Sequence, residues 1–269
     1  MQNRTAKLAC NHNIQYATCL LASSLYCIGL TKSSLFFQNI ITILFVIFLL
    51  FLTLTNLLIT SHNQNKSHFF IFMQVVIINL TIALTAQILK TPVTFFWVQD
   101  SILTHIPEAQ KYTLFLKGIQ VENLGIYSGQ STHFITGLFF LLLGTNTLAT
   151  TCAQLFFKII ALTFIYKSCL ILWNRKTALI SIQIYGFCPT VFFYTLVLYK
   201  ESAVHALYSA IFYYTIKVFI EKKWSFSIPL TITLYLMLRE RFYITYLSLI
   251  CILFLAYNLP FKKNLISRA

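Results

Sequence analysis

Residues 69–89 read FFIFMQVVIINLTIALTAQIL, an apolar run without one charged side chain. A helix needs about 20 such residues to cross the hydrocarbon core of a bilayer, and this run has the length. Outward from it, similar runs cover 14–31, 35–60, 152–173, 177–198 and 202–220, and weaker ones cover 133–150, 225–238 and 242–258. The composition agrees: of 269 residues, 58% are hydrophobic and 10% charged, with a mean hydropathy of +0.76. Soluble domains run at about 45–50% apolar and about 25% charged, and a globule of this size could not hide the excess in one core. The shortage of charge also excludes a disordered chain. The sequence therefore predicts an all-α fold, a polytopic transmembrane bundle of about 8–9 helices.

The pattern breaks between 90 and 131, where Lys90, Asp100, Glu108, Lys111, Lys117 and Glu122 fall together with Pro92 and Pro107. This is the sizeable polar segment of the chain, expected as a helical or irregular outer loop. The expected organisation is two N-terminal transmembrane helices in 1–67, then a membrane module over 68–269 that includes the loop. Arg4 and Lys7 before the first run resemble a signal peptide, but no small-x-small site closes that run, so it is expected to stay as the first helix. The seven Cys form no Cys-x-x-Cys pair; they predict neither a zinc site nor a disulfide framework and read as small buried hydrophobes.

The net charge of +14, from 20 Lys and Arg against 6 Asp and Glu, would suggest nucleic acid on a soluble protein. In a membrane protein it reflects Lys and Arg kept in cytoplasmic loops, so no nucleic-acid partner is expected. Arg175/Lys176, Lys217/Lys222/Lys223 and Lys262/Lys263/Arg268 are separated by pairs of crossings and share one side. The positive-inside rule makes that side the cytoplasm, which puts 90–131, Lys200-Glu201 and Arg239-Glu240-Arg241 outside. Going from 131 outside to 174 inside needs an odd number of crossings, whereas hydropathy offers two, 133–150 and 152–173. Either 133–150 is short and re-entrant, or one boundary differs.

Chemistry is therefore expected on the outer face. Residues 97–118, WVQDSILTHIPEAQKYTLFLKG, place Asp100, His105 and Glu108 within nine residues just beyond a span. A carboxylate there can act as a general base toward a hydroxyl, and Asp, His and Glu together can ligate a divalent metal. The plainer alternative is a polar loop with solvated acids. Lys200, Arg239 and Arg241 supply cations at membrane depth, where Arg suits bidentate phosphate contacts; the alternative for Arg239-Glu240-Arg241 is a charged turn. His133 borders the loop and could join the site. His205 follows Glu201 by four residues and shares its helix face.

Asp100-Ser101, His105 and Pro107 resemble the Asp-Ser/Ala-x-x-Tyr-His-x-Pro segment in the first outer loop of C-type glycosyltransferases, membrane enzymes that use polyprenyl-phosphate sugars, with Thr104 in place of the usual Tyr. Phe134–Gly144 (FITGLFFLLLG), Arg175-Lys176-x-Ala178-Leu179 before Pro189, and Leu238-Arg239-x-x-Phe242-Tyr243 are similar, in order, to later segments of that superfamily. The chain resembles a short or truncated member related to aminoarabinose and protein mannosyl transferases. The resemblance implies Asp100 as catalytic base and Glu201 as a second acid. It implies substrate contacts from His105, Glu108, Lys200, Arg239, Arg241 and Tyr243. It further implies a polyprenyl-phosphate-linked sugar donor, a lipid, glycan or protein acceptor, a place in the cytoplasmic (inner) membrane, and a divalent metal as candidate cofactor on Asp100, His105 and Glu108. The expected function is inverting sugar transfer on the outer face. The alternative is a non-catalytic, truncated or accessory membrane protein of envelope glycan assembly.

Overall fold

The computed structural model describes residues 15–26, 28, 44–45, 47–49, 52, 67–88, 104–122, 124, 129–196 and 198–258, and among these the regular structure is helical, without strands. Residues 15–26 form a helix. They are followed by α1 (Ser67–Ile88), α2 (Ile106–Leu116), α3 (Gln130–Leu143), α4 (Thr147–Leu172), α5 (Arg175–Phe187) and α6 (Pro189–Leu196). The chain continues with α7 (Glu201–Thr215), α8 (Ser227–Glu240) and α9 (Phe242–Asn258). A π-helical turn, Ile216–Ile220, prolongs α7.

Local sequence sets several of these boundaries. Asn146 and Asn174 have extended backbones, and their side chains accept the amides of Ala149 at 2.8 Å and Thr177 at 2.9 Å. This relieves donors that a helix start leaves unpaired. Inside the apolar helices, polar side chains bond back to their own helix: Asn79 Nδ2 donates to the Val75 carbonyl at 2.7 Å and Thr163 Oγ1 to that of Ile159 at 2.8 Å. A span can thus satisfy these donors within its own backbone.

Among the described residues, three helices are long and apolar enough to cross a membrane: His68–Thr85 within α1, α4, and Glu201–Ile220, which is α7 with its π turn. The pair α5 and α6, bent by 54° at Cys188, makes a fourth if it is one broken span. This is fewer than the eight or nine expected, for local reasons. The run 133–150 is cut by Gly144, whose φ of 78° ends α3 after 14 residues. At 1.5 Å per residue α3 is about 21 Å long, short of the roughly 30 Å core of a bilayer. The stretch 225–258 is divided at Arg241, whose extended backbone (φ −149°, ψ 93°) separates α8, of 14 residues, from α9, of 17. The runs 14–31 and 35–60 lie partly outside the described residues.

Side-chain pairs fix the relative directions. Phe157 and Ala161 pack with Ala203 and Ala206, and one turn further on Phe164 meets Tyr213 and Tyr214 at 5.3 and 5.4 Å between ring centroids, so α4 and α7 run parallel. His68 stacks on Tyr166 at 5.3 Å, so α1 runs opposite to α4. The basic turns after α4 and after α7 therefore share one end of the bundle. Lys200-Glu201 and Arg239-Glu240-Arg241 share the other, the separation that the charge count expects. The main core joins Val75, Ile78, Leu162, Leu179, Ile182 and Phe192 with Cys19, Tyr26, Phe45 and Leu49 from the N-terminal residues. In α9 the burial is inverted: Tyr246, Leu247, Ile250, Leu253 and Phe254 are exposed while Thr245 and Ser248 are buried. An apolar outer surface of this kind fits contact with lipid.

Candidate functional site

At the end of the bundle opposite the basic turns, four chain segments meet: the start of α2, the start of α3, the linker into α7, and the α8–α9 turn. α2 lies against α3 so closely that a Cβ at Gly137 would stand 2.8 Å from the Tyr112 Cβ and 3.0 Å from the Ala109 carbonyl. Thr113 Oγ1 donates to the Gly137 carbonyl at 3.1 Å across the same contact. Ala109 also shares a buried cluster with Leu198. The loop helix thus folds back over the end of the bent α5–α6 pair.

This packing brings His105 and His133 together, with Nδ1 of the first 2.8 Å from Nε2 of the second and both rings buried. One facing nitrogen must donate to the other, so the two rings are not both protonated. Burial, together with the charges of His105 and Lys200, pushes His133 down to about 3. Tyr199 lies beside the pair, its ring centroid 5.9 Å from that of His105.

Glu240 is fully buried and accepts the Ser131 amide at 2.6 Å and the Thr132 amide at 3.3 Å, with Thr132 Oγ1 at 3.4 Å. It therefore caps α3 from the far end of the chain, at a start that Gly129 leaves without a capping side chain of its own. At Gly129, φ is 100°, and a Cβ there would stand 3.2 Å from the His133 ring. Glycine answers both constraints. Burial raises the Glu240 carboxyl above its ordinary range, partly offset by the hydrogen bonds from Ser131 and Thr132. Arg239 Nε donates to Gln130 Oε1 at 2.9 Å, and the Arg241 guanidinium is bound to the Glu201 carboxylate.

The structure therefore gathers His105, Lys200, Glu201, Arg239 and Arg241 at one place. Glu108 turns aside to Lys111, at 2.6 Å, and Tyr243 stands half-exposed with the Arg241 guanidinium 5.8 Å from its ring centroid. Asp100 lies outside the described residues. The candidate metal set includes Asp100 and so lies partly outside the described residues; among those described, no three His, Cys, Asp or Glu side chains group to hold an ion. His105 Nδ1 faces His133, and Glu108 Oε1 pairs with Lys111. Glu240, Gln130 and Tyr112 join the site without a strong sequence signal. Lys158, which shares α4 with Lys167, had one: a buried Lys inside an apolar span is costly and marks function by default.

Below this polar end, an apolar cavity of about 550 Å³ opens between α3, α4, α7 and α8. Phe156, Phe164, Ala210 and Tyr214 line its body, and Tyr112, Gln130 and Ser131 its rim. The size lies within the range of about 300–1,000 Å³ usual for small-molecule sites. The rim residues touch the groups just described, Gln130 holding Arg239 and Ser131 binding Glu240. A cationic head region over an apolar chamber can take an amphiphile with an anionic head.

The class that fold and site define is an all-helical membrane protein with a polar site at one end of its bundle. Comparison with protein families, characterised proteins and solved structures gives no match for the chain.

Proposed function

We propose that this protein is an integral membrane glycosyltransferase of the polyprenyl-phosphate-sugar-dependent kind, acting on the outer face of a cytoplasmic membrane. The observation that carries the reading is the gathering of Lys200, Arg239 and Arg241 at the polar end of the bundle, with Arg239 held by Gln130, a residue of the rim of the apolar cavity. A lipid-linked phosphate needs that pairing: cations for its head and an apolar chamber for its tail. In the reaction, an acceptor hydroxyl oxygen bonds to the anomeric carbon as the bond from that carbon to the phosphate oxygen breaks. The hydroxyl proton passes to a base and the polyprenyl phosphate leaves with the electron pair. The phosphate is already a good leaving group, so the site must supply cationic stabilisation and a base rather than a strong acid. Arg239 and Lys200 supply the first. Asp100 is the base that the resemblance implies, and Glu201, fixed by Arg241, is the second acid.

A second reading, a non-catalytic membrane protein of glycan assembly, draws on the pairing of the described acids. Glu201 is bound to Arg241, Glu240 caps α3 and Glu108 pairs with Lys111. One experiment separates the two. The full chain in lipid nanodiscs is given a polyprenyl phosphate, or the phosphate-free polyprenol as control, and binding is measured by native mass spectrometry. The phosphate form should bind, and Arg239→Gln should weaken it about tenfold, equal to ~1.4 kcal/mol, without changing polyprenol retention. In a transfer assay with a labelled polyprenyl-phosphate sugar, Asp100→Asn should lower the rate by about 10²–10⁴-fold. Phosphate-independent binding and no transfer would leave the non-catalytic reading standing.

A further inference from the structure

The turn from α4 into α5 and the turn from α7 into α8 lie at one depth. α4 and α7 run parallel, with Phe164 against Tyr213 and Tyr214. From Phe164, α4 continues to Leu172, and from Tyr214 the π turn ends at Ile220. At about 1.5 Å per residue the two ends come level within a few ångströms. Axes of packed helices lie about 8–10 Å apart, so the two turns are neighbours. Both helices are long and apolar enough to cross a membrane, which sets their shared end at the level of lipid headgroups.

Each turn brings cations and an indole to that level. The first carries Trp173, Arg175 and Lys176, and the second carries Lys217, Lys222, Lys223 and Trp224. Residues 167–177 hold no Asp or Glu, and 217–227 hold Glu221 alone. Glu221 is bound to Lys217 at 2.8 Å and to Lys223 at 2.7 Å. Lys176 and Lys222, both exposed, are left without a described carboxylate. α5 begins at Arg175, so the positive end of a helix dipole stands beside the first group.

The second turn is held by its backbone. The Lys223 amide donates to the Lys217 carbonyl at 2.9 Å, across Lys222, whose φ is 56°. That left-handed conformation favours glycine. The lysine found there puts an ammonium on the outside of a fixed turn. Trp173 and Trp224 are 61% and 68% exposed, and Trp224 meets Phe219 edge-on at 6.5 Å. Exposed indoles beside cations are the pattern of a membrane interface, where the ring packs on acyl chain and the N–H faces the headgroup.

We propose that these two turns form a binding surface for a phospholipid of the cardiolipin type, which carries two phosphates joined through one glycerol. One phosphate lies at Arg175 and Lys176, the other at Lys222. The glycerol link keeps the phosphates a few bonds apart, a span that fits two neighbouring turns, whereas a lipid with one phosphate reaches only one of them. The surface is at the end of the bundle opposite the proposed transfer site and stands without it.

The test uses the purified full chain, delipidated in detergent and given cardiolipin, phosphatidylglycerol or phosphatidylcholine at equal phosphate, with retained lipid read by native mass spectrometry. Cardiolipin should be retained about tenfold more strongly than phosphatidylglycerol, because its second phosphate binds within one molecule. Lys176→Gln and Lys222→Gln should each cut cardiolipin retention about fivefold, and together they should bring it to the phosphatidylglycerol level. Lys222→Gly suits the left-handed turn and removes only the ammonium, so it should show the same loss with no fall in unfolding temperature. Lys117→Gln, at an exposed cation at the end of α2, should leave retention unchanged. Equal retention of cardiolipin and phosphatidylglycerol, or as large a loss from Lys117→Gln as from Lys222→Gly, would overturn the proposal.

Discussion

Glu240 caps a helix that begins more than a hundred residues before it, and its worth can be measured. Replacing it by Ala leaves the Ser131 and Thr132 amides buried without an acceptor, which should cost about 1–3 kcal/mol. Glu240→Gln keeps one oxygen toward those amides and should cost clearly less. Thermal unfolding of the two variants in detergent gives the comparison; equal losses would mean that the charge, and not the cap, holds α3. The histidine pair makes a separate prediction. His133 in the folded protein takes up a proton only near pH 3, whereas an unfolded histidine does so near 6.5. Between those values the unfolded chain binds more protons, so stability is full above about pH 6.5 and falls as the pH drops toward 3. Glu240 works in the opposite sense, since its raised carboxyl takes up a proton more readily in the folded state. The difference between the unmodified protein and His133→Gln isolates the histidine: the variant should lose less stability between pH 7 and pH 5. Parallel pH curves for the two would exclude His133 as the source.

At the scale of the element, α3 decides how often the chain crosses the bilayer. Its sequence is apolar enough to be read as a span, but Gly144 ends it at 14 residues, and it packs on α2. If α3 does not cross, the exposed residues before and after it lie on one face of the membrane. In a Cys-free background, Gln120→Cys and Thr145→Cys should both react with an impermeant maleimide added from that face, and Lys176→Cys should be protected. Labelling of position 120 together with 176, with 145 protected, would mean that α3 spans. Element boundaries of this kind are partly legible in the residues. Gly144, Pro189 and Asn174 mark breaks and caps where they fall, because each acts on its own backbone. The start of α3 is not legible, because its capping acid comes from α8.

Over the whole molecule, the apolar cavity and the polar rim form one feature. Ala210 lies on α7 and lines the cavity wall. Ala210→Phe should fill part of that space and weaken retention of a polyprenyl phosphate about tenfold. Unfolding temperature should change little, because the ring enters space already open. Native mass spectrometry beside a melting curve would read both. Undiminished retention would remove the cavity from the proposed site and leave the rim cations alone.

The sequence by itself determined the helical class, the membrane setting and the placing of the Lys200-Glu201 and Arg239-Glu240-Arg241 turns at the end opposite the basic turns. These follow from run length, composition and the sign of local charge, which each segment carries independently of its neighbours. Only the tertiary structure decided which of those groups meet. His105 with His133, Glu201 with Arg241, Glu240 with the amides of α3 and Arg239 with Gln130 all join residues at least 28 positions apart. Whether a carboxylate ends as a base, a cap or half of an ion pair depends on what folding sets beside it. For Glu240 the fold chose the cap, because a buried acid left without donors would have cost more; the Glu108–Lys111 pair, three residues apart on α2, is local.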